Sequence, residues 1–258
     1  MNFEINRGGG IFSIYHMCLE KLLCMVKNGL EINTIPRYKI CVPNHVFKNM
    51  FFFNDIFVYD DNIHYEKIPV HYLDYSFYKA NENKEQLELL KQLVHKNQIQ
   101  PSILDKVIDY TQKFNITENT LGVHIRLTDM NHIHGSSYGC YSVETYLLKI
   151  DEMLEKHNNI DHLFIASDND VSIAKLHKYY NNKIRISYIE ESIRNPEEYC
   201  TTSDFMIEKM NELHSTYHMD VFKELLVLSK CSYFIHRISD FANFAIIYSD
   251  TFKDILYL

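Results

Sequence analysis

No stretch of this chain stays apolar for the ~20 residues that a membrane-spanning helix requires, so the sequence excludes a helical membrane protein. Basic charge is also in short supply. Lys and Arg number 26 against 34 Asp and Glu, a net charge of −8, which argues against a protein that coats nucleic acid. It leaves room for a local basic pocket. The six cysteines (Cys18, Cys24, Cys41, Cys140, Cys200 and Cys231) form no CxxC pair and no zinc-ribbon spacing. Cys18, Cys24, Cys41 and Cys231 lie in apolar surroundings and are expected to be reduced core residues. There is no HExxH for a catalytic zinc. Tryptophan is absent beside 19 Tyr and 16 Phe, a matter of codon usage. The opening residues, Met1 to Arg7, lack a signal-peptide layout. The expectation is a soluble, cytoplasmic protein, or a soluble domain of a larger one.

What is present is ordinary globular material, 46% hydrophobic and 23% charged over 258 residues, enough for one large domain or two modest ones. Phe3 to Arg7 reads as a strand, Gly8-Gly9-Gly10 as a turn, and Ile11 to Gly29 as a helix with Ile14, Cys18, Leu22 and Val26 on its apolar stripe. A strand, a glycine turn and a helix N-terminus let backbone N–H groups approach a ligand closely. The glycines match neither GxGxxG nor a P-loop, so a tight turn without a ligand explains them as well. Tyr38 to Pro43 is a strand, Phe51 to Tyr59 contains another, and Ile63 to Tyr78 reads as loop. Helices follow over Lys84 to Lys96 and from Pro101, a residue suited to the first helical position. Phe114 to Thr120 is polar and turn-like. It divides the chain into an N-terminal lobe, residues 1–116, and a C-terminal lobe, residues 117–258.

The second half alternates strand and helix. Its first strand is Leu121-Gly-Val-His-Ile-Arg-Leu-Thr-Asp129, an apolar run ending in His124, Arg126, Thr128 and Asp129. Alternation sets His124, Arg126 and Thr128 on one face and Val123, Ile125 and Leu127 on the other. An unpaired guanidinium in a core is costly, so Arg126 calls for an anion, either a protein carboxylate or a ligand phosphate. A helix follows from Ser142 to Lys156, then a strand Ile160 to Ala166 ending in Ser167-Asp-Asn-Asp170. Further elements are a helix Val171 to Tyr180, a strand Lys183 to Ile189, a polar loop Glu190 to Thr202, and a helix from Ser203 to about Leu213. The last are a helix Asp220 to Lys230, a strand Tyr233 to His236, and a helix Phe241 to Tyr248 capped by Ser239. Such alternation implies a doubly wound parallel sheet, in which ligands bind beyond the carboxyl ends of the strands. Three of those ends are polar here: His124 to Asp129, Ser167 to Asp170, and His236 to Asp240.

These segments, in this order, resemble the superfamily of GDP-fucose-dependent α-1,2-, α-1,6- and protein O-fucosyltransferases. His124-Ile-Arg126-Leu-Thr128-Asp129 resembles its His-x-Arg-x-x-Asp signature, and Ile165-Ala-Ser-Asp-Asn169 its Ser/Thr-Asp turn. Asp220 to Ile235 followed by Ser239-Asp-Phe-Ala resembles its closing helix, strand and Ser-capped helix. The likeness runs over about Leu121 to Tyr248 and is faint before that. It implies an α/β, GT-B-like fold of two Rossmann-like lobes facing a cleft, and an inverting transferase that moves fucose from GDP-fucose, or another GDP-sugar, to a glycan hydroxyl. It implies no required cofactor. Two departures stand out. Asp240 replaces the usual small polar residue after Ser239, and no Glu follows the signature as a base.

By that resemblance Arg126 binds the β-phosphate, His124 the ribose or base end, and Asp168 the guanine N–H groups. Ser239 donates to phosphate, and Gly8, Gly9, Gly10, Thr128 and Asn169 complete the donor site. Asp129, His132 and His134 are the candidate bases, with Asp129 more suited to orienting Arg126. Two other classes remain open from the residues. Asp168-x-Asp170 matches a DxD pattern that would hold a metal under another nucleotide sugar. The chain could also be a non-catalytic relative that binds a glycan or protein partner. His214 and His218, four apart, could share a helix face as metal ligands, although a partly exposed pair explains them as well. Met130 to Gly139 and Glu190 to Thr202 are the loops expected to meet an acceptor.

Overall fold

The computed structural model describes residues 3–5, 19, 23, 38–40, 66–67, 84–95, 99–127, 141–196 and 216–258. In the N-terminal part, β1 (Phe3–Ile5) lies between β2 (Tyr38–Ile40) and β3 (Glu66–Lys67) in a parallel three-stranded sheet. The stretch expected to be loop from Ile63 therefore contributes a two-residue strand. Its pairing with β1 defines it, and no local pattern announces that. Leu19 and Leu23 are helical and buried, as the helix expected from Ile11 requires. The remaining expectations for residues 6–37 and 41–65 lie outside the described residues.

The larger sheet is parallel throughout. It comprises β4 (Thr120–Ile125), β5 (His162–Ser167), β6 (Arg185–Ser187), β7 (Tyr233–His236) and β8 (Asp254–Tyr257), in the order β6-β5-β4-β7-β8. Helices cover both faces, as the near-continuous apolar character of β4, β5 and β7 demands. Leu121, Val123, Ile125, Leu163, Ile165 and Ile235 pack on one face beneath α3 (Val143–Lys156) and α4 (Asp170–Tyr180). Phe164, Ala166 and Phe234 join the core of the opposite face. That core takes in α1 (Lys84–His95), α2 (Pro101–Lys113), α5 (Thr216–Leu228) and α6 (Asp240–Tyr248). This is the doubly wound α/β class expected.

Caps act where the sequence signals them. Ser142 Oγ accepts from the Thr145 N–H at the start of α3, and Ser239 Oγ from the Ala242 N–H at the start of α6. Pro101 opens α2. Asn181, in the left-handed region at φ 31°, closes α4. Two elements differ from expectation. α5 begins at Thr216, a turn before Asp220, and β8 occupies a terminus to which no element was assigned.

Gly122 sits mid-strand in β4 because α5 leaves no room for a side chain there. A Cβ at this position would stand 2.8 Å from Leu228 Cδ2 and 3.3 Å from Cys231 Sγ. Both neighbours are completely buried, and Cys231 is the reduced core residue expected. Gly122→Val suits local strand preference, yet it is expected to lower stability by roughly 1–3 kcal/mol through overpacking. Urea unfolding measures this, and a midpoint at or above that of the wild type would contradict the close-packed contact.

Candidate functional site

The winding reverses between β4 and β7. From β4 the chain moves outward to β5 and β6; β7 and β8 then extend the sheet on the other side. At such a switch point the loops leaving two adjacent strands diverge and open a crevice at their carboxyl ends. His124 is the next-to-last residue of β4 and is buried. Its ring stacks on Phe241 of α6, centroids 4.4 Å apart and planes 23° from parallel. Arg126 follows just past the strand end and is half-buried.

Across the switch, Val123 is level with Ile235, so the register brings His124 level with His236 on the same face. His236 Nδ1 donates to the Arg237 carbonyl at 2.9 Å. Arg237 itself is 2% exposed, among the largest fully buried side chains. Burial holds the His124 imidazole well below its ordinary range, with the charges of Arg126, His236 and Arg237 adding to the effect. Burial likewise pushes His236 down to about 4, against the bond to the Arg237 carbonyl. Both rings are therefore neutral near pH 7. His124 Nδ1 and His236 Nε2 are buried without a hydrogen-bond partner. Ser239, two residues beyond Arg237, aims the N-terminus of α6 toward this end of the sheet.

On the other side of β4, the end of β5 is tightly laced. Asp168 Oδ1 accepts from the Leu127 N–H at 3.0 Å, tying the two strand ends together. Asn169 is fully buried and caps α4 by accepting from the Ser172 N–H. Asn195 bonds through its backbone on either side of it: its N–H donates to the Asp168 carbonyl, and its carbonyl accepts from the Asp170 N–H. The part of the Glu190–Thr202 loop within the described residues is thus fastened to the sheet. Arg194, expected on a polar loop, is buried beneath it. It donates to the Ile189 and Ser192 carbonyls and pairs with Glu224 of α5 at 2.9 Å. Thirty residues separate that pair in the chain, so no local pattern signals it.

Of the residues singled out from the sequence, the fold gathers His124, Arg126, Asp168, Asn169 and Ser239 at one end of the sheet. Asp170 is exposed in the first turn of α4, its neighbour Asn169 being the cap. Gly8, Gly9, Gly10, Thr128, Asp129, His132, His134 and His214 lie outside the described residues, as does the side chain of His218. Among the described residues no group of three or more His, Cys, Asp or Glu side chains could hold a metal ion, and no helix is long and apolar enough to cross a membrane. His236 and Arg237 received no individual role from the sequence, although the polar strand end that contains them stood out.

No protein-family model matches this chain, and no curated protein matches its sequence. Solved structures do. NodZ α-1,6-fucosyltransferase co-crystallised with GDP superposes with a TM-score of 0.55 at 12% identity, covering 95% of this chain and 91% of NodZ. NodZ soaked with GDP-fucose gives 0.53 at 12% identity over 96% and 92%. POFUT1 in complex with GDP-fucose gives 0.45 at 12% identity, and this chain spans 50% of its length. The likeness to NodZ is one of fold, nearly end to end, and it agrees with the α/β, GT-B-like class expected from the sequence.

Burial pushes Glu224 up to about 7 from an ordinary 4.5, with Arg194 drawing it back down. The folded state thus holds a proton that the unfolded chain releases between those values. The stability this group contributes is complete below about pH 4.5 and is lost as pH rises through 7. Glu224→Gln is expected to flatten that slope, as read by urea unfolding at pH 5, 6, 7 and 8. An unchanged slope would assign the pH dependence to other groups.

Proposed function

We propose that this chain is a glycosyltransferase that takes a GDP-sugar, most simply GDP-fucose, and transfers the sugar to a glycan hydroxyl with inversion. The observation that carries this is that Arg126 and the Ser239-capped N-terminus of α6 follow the carboxyl ends of β4 and β7, the two adjacent strands that flank the switch point. NodZ, which shares the fold, was crystallised with GDP. In GT-B terms, the expected acceptor lobe of residues 1–116 is reduced to the part around the β1–β3 sheet, and residues 117–258, joined in one core by α1 and α2, form the donor lobe.

In this account the diphosphate lies between Arg126 and the first turn of α6. As the acceptor oxygen attacks the anomeric carbon, the bond from that carbon to the phosphate oxygen breaks. The electron pair goes to GDP, and Arg126 offsets the charge that develops there. His124, neutral and stacked on Phe241, meets the ribose or base end. Asp168, with Asn169 beside it, faces the guanine N–H groups. Thr128 and Gly8, Gly9 and Gly10 complete the donor contacts. The acceptor proton goes to His132, His134 or Asp129, with Asp129 supporting Arg126. No metal is required, since the guanidinium and the helix N-terminus supply the positive potential. A metal-dependent variant through Asp168 and Asp170 is less favoured, because Asp170 is exposed in the first turn of α4, on the far side of the buried cap Asn169 from Asp168.

Isothermal titration with GDP tests this. Binding by the wild type is expected to persist in EDTA and to weaken at least about tenfold in Arg126→Ala, the loss of roughly one charge-assisted contact. No binding by the wild type would end the GDP-donor assignment. Undiminished binding by the variant would remove Arg126 from the phosphate.

A further inference from the structure

The pair of histidines at the switch point is more than a stacking surface. In a neutral imidazole one ring nitrogen donates and the other accepts. His236 Nδ1 is committed as the donor to the Arg237 carbonyl, so Nε2 carries the lone pair. That atom is buried and unpartnered, in a residue only 3% exposed. His124 stands level with it one strand away, and its Nδ1 is likewise buried and unpartnered. Neighbouring strands are about 4.8 Å apart, a span that adjacent hydroxyls of one sugar ring can bridge. Leaving a buried acceptor empty is costly. Here the residues bearing the two unpartnered nitrogens stand level on adjacent strands, at the ends where a doubly wound sheet takes its ligand.

The geometry points to His236 as a donor-site residue whose Nε2 accepts a hydrogen bond from a sugar hydroxyl of the nucleotide-sugar, next to the contact made by His124. The inference rests on the GDP-sugar assignment above and adds the residue that recognises the sugar. The hydroxyl belongs either to the ribose or to the transferred hexose. Both present the same O–H donor, and the flat, rigidly packed ring between Phe234 and Tyr257 holds the acceptor in place for it.

The test compares GDP, 2′,3′-dideoxy-GDP and GDP-fucose by isothermal titration in the wild type, His236→Phe and His236→Gln. The wild type is expected to prefer GDP over the dideoxy analogue by at least about tenfold, the equivalent of one good hydrogen bond. His236→Phe should lose most of that preference, and His236→Gln, which keeps an acceptor oxygen, should retain part of it. If the preference for GDP-fucose over GDP collapses in His236→Phe and the ribose preference stands, the hydroxyl is that of the hexose and the role of His236 holds. Equal weakening of all three ligands in His236→Phe, with both preferences intact, would overturn it. Absence of GDP binding by the wild type would instead sink the donor assignment itself. A measurement that needs no variant runs alongside. The Nε2 nitrogen resonance of His236 in the wild type should move upfield when GDP or GDP-fucose is added, as a lone pair that accepts a hydrogen bond does. No movement at saturation with either ligand would also overturn the inference.

Discussion

Everything at this site follows from the burial of β4 on both faces. All six of its residues are buried, so the strand has no solvent-facing side on which to carry a polar group. Its polar groups sit near its ends: Thr120 at the start, bonded to His162 of β5, and His124 onward where the chain leaves the sheet. The same holds for β5 and β7. Three strands that cannot be polar along their length are polar where they stop. Their parallel arrangement stacks those ends on one edge of the sheet. The reversal of winding between β4 and β7 then opens the gap that a ligand can use.

Within that edge the two sides of β4 are built differently. Toward β5 backbone and side-chain groups lace the strand ends together: Asp168 holds the Leu127 N–H, Asn169 caps α4, and Asn195 bridges Asp168 and Asp170 through its backbone. The buried Arg194–Glu224 pair fastens the following segment to α5. A buried ion pair of this sort adds little net stability, yet it becomes costly when one partner is removed, which makes it a positional constraint on the loop. Toward β7 the polar groups include unmet ones, the free nitrogens of His124 and His236. A folded protein rarely leaves buried polar atoms unpaired.

How much of this the sequence disclosed depends on the range over which each feature is determined. Arg126 in an apolar run, Ser142 and Ser239 before apolar helices, and Pro101 at a helix start are local conflicts or local signals, legible without coordinates. β8 was missed because Asp254 to Tyr257 forms a strand only by pairing with β7. Glu66–Lys67 is a strand only by pairing with β1. Arg194 read as a loop residue because Glu224, which neutralises it, is thirty residues away. His236 was visible as a polar residue at a strand end. That its Nε2 is the open acceptor depends on which carbonyl its other nitrogen meets, a fact of three-dimensional geometry alone.

Asp240 shows how the β7 side can still receive an anion. In the first turn of α6 its carboxylate is favoured by the helix dipole, and for the same reason it competes with a phosphate for that turn. Arg237 lies three residues earlier and is buried at the end of β7, on the same connection between strand and helix. Among the described charges at this edge, Arg126 and Arg237 stand against Asp168, Asp170 and Asp240, while both histidines are neutral. An edge without an excess of positive charge gains little from long-range attraction of an anion. On the proposed function, selectivity comes from directed contacts: a guanidinium fork, backbone N–H groups at a capped helix, and the imidazole of His236, whose tautomer is fixed by the Arg237 carbonyl. Such contacts discriminate between ligands of equal charge, which is the discrimination that the proposed transfer from a nucleotide-sugar requires.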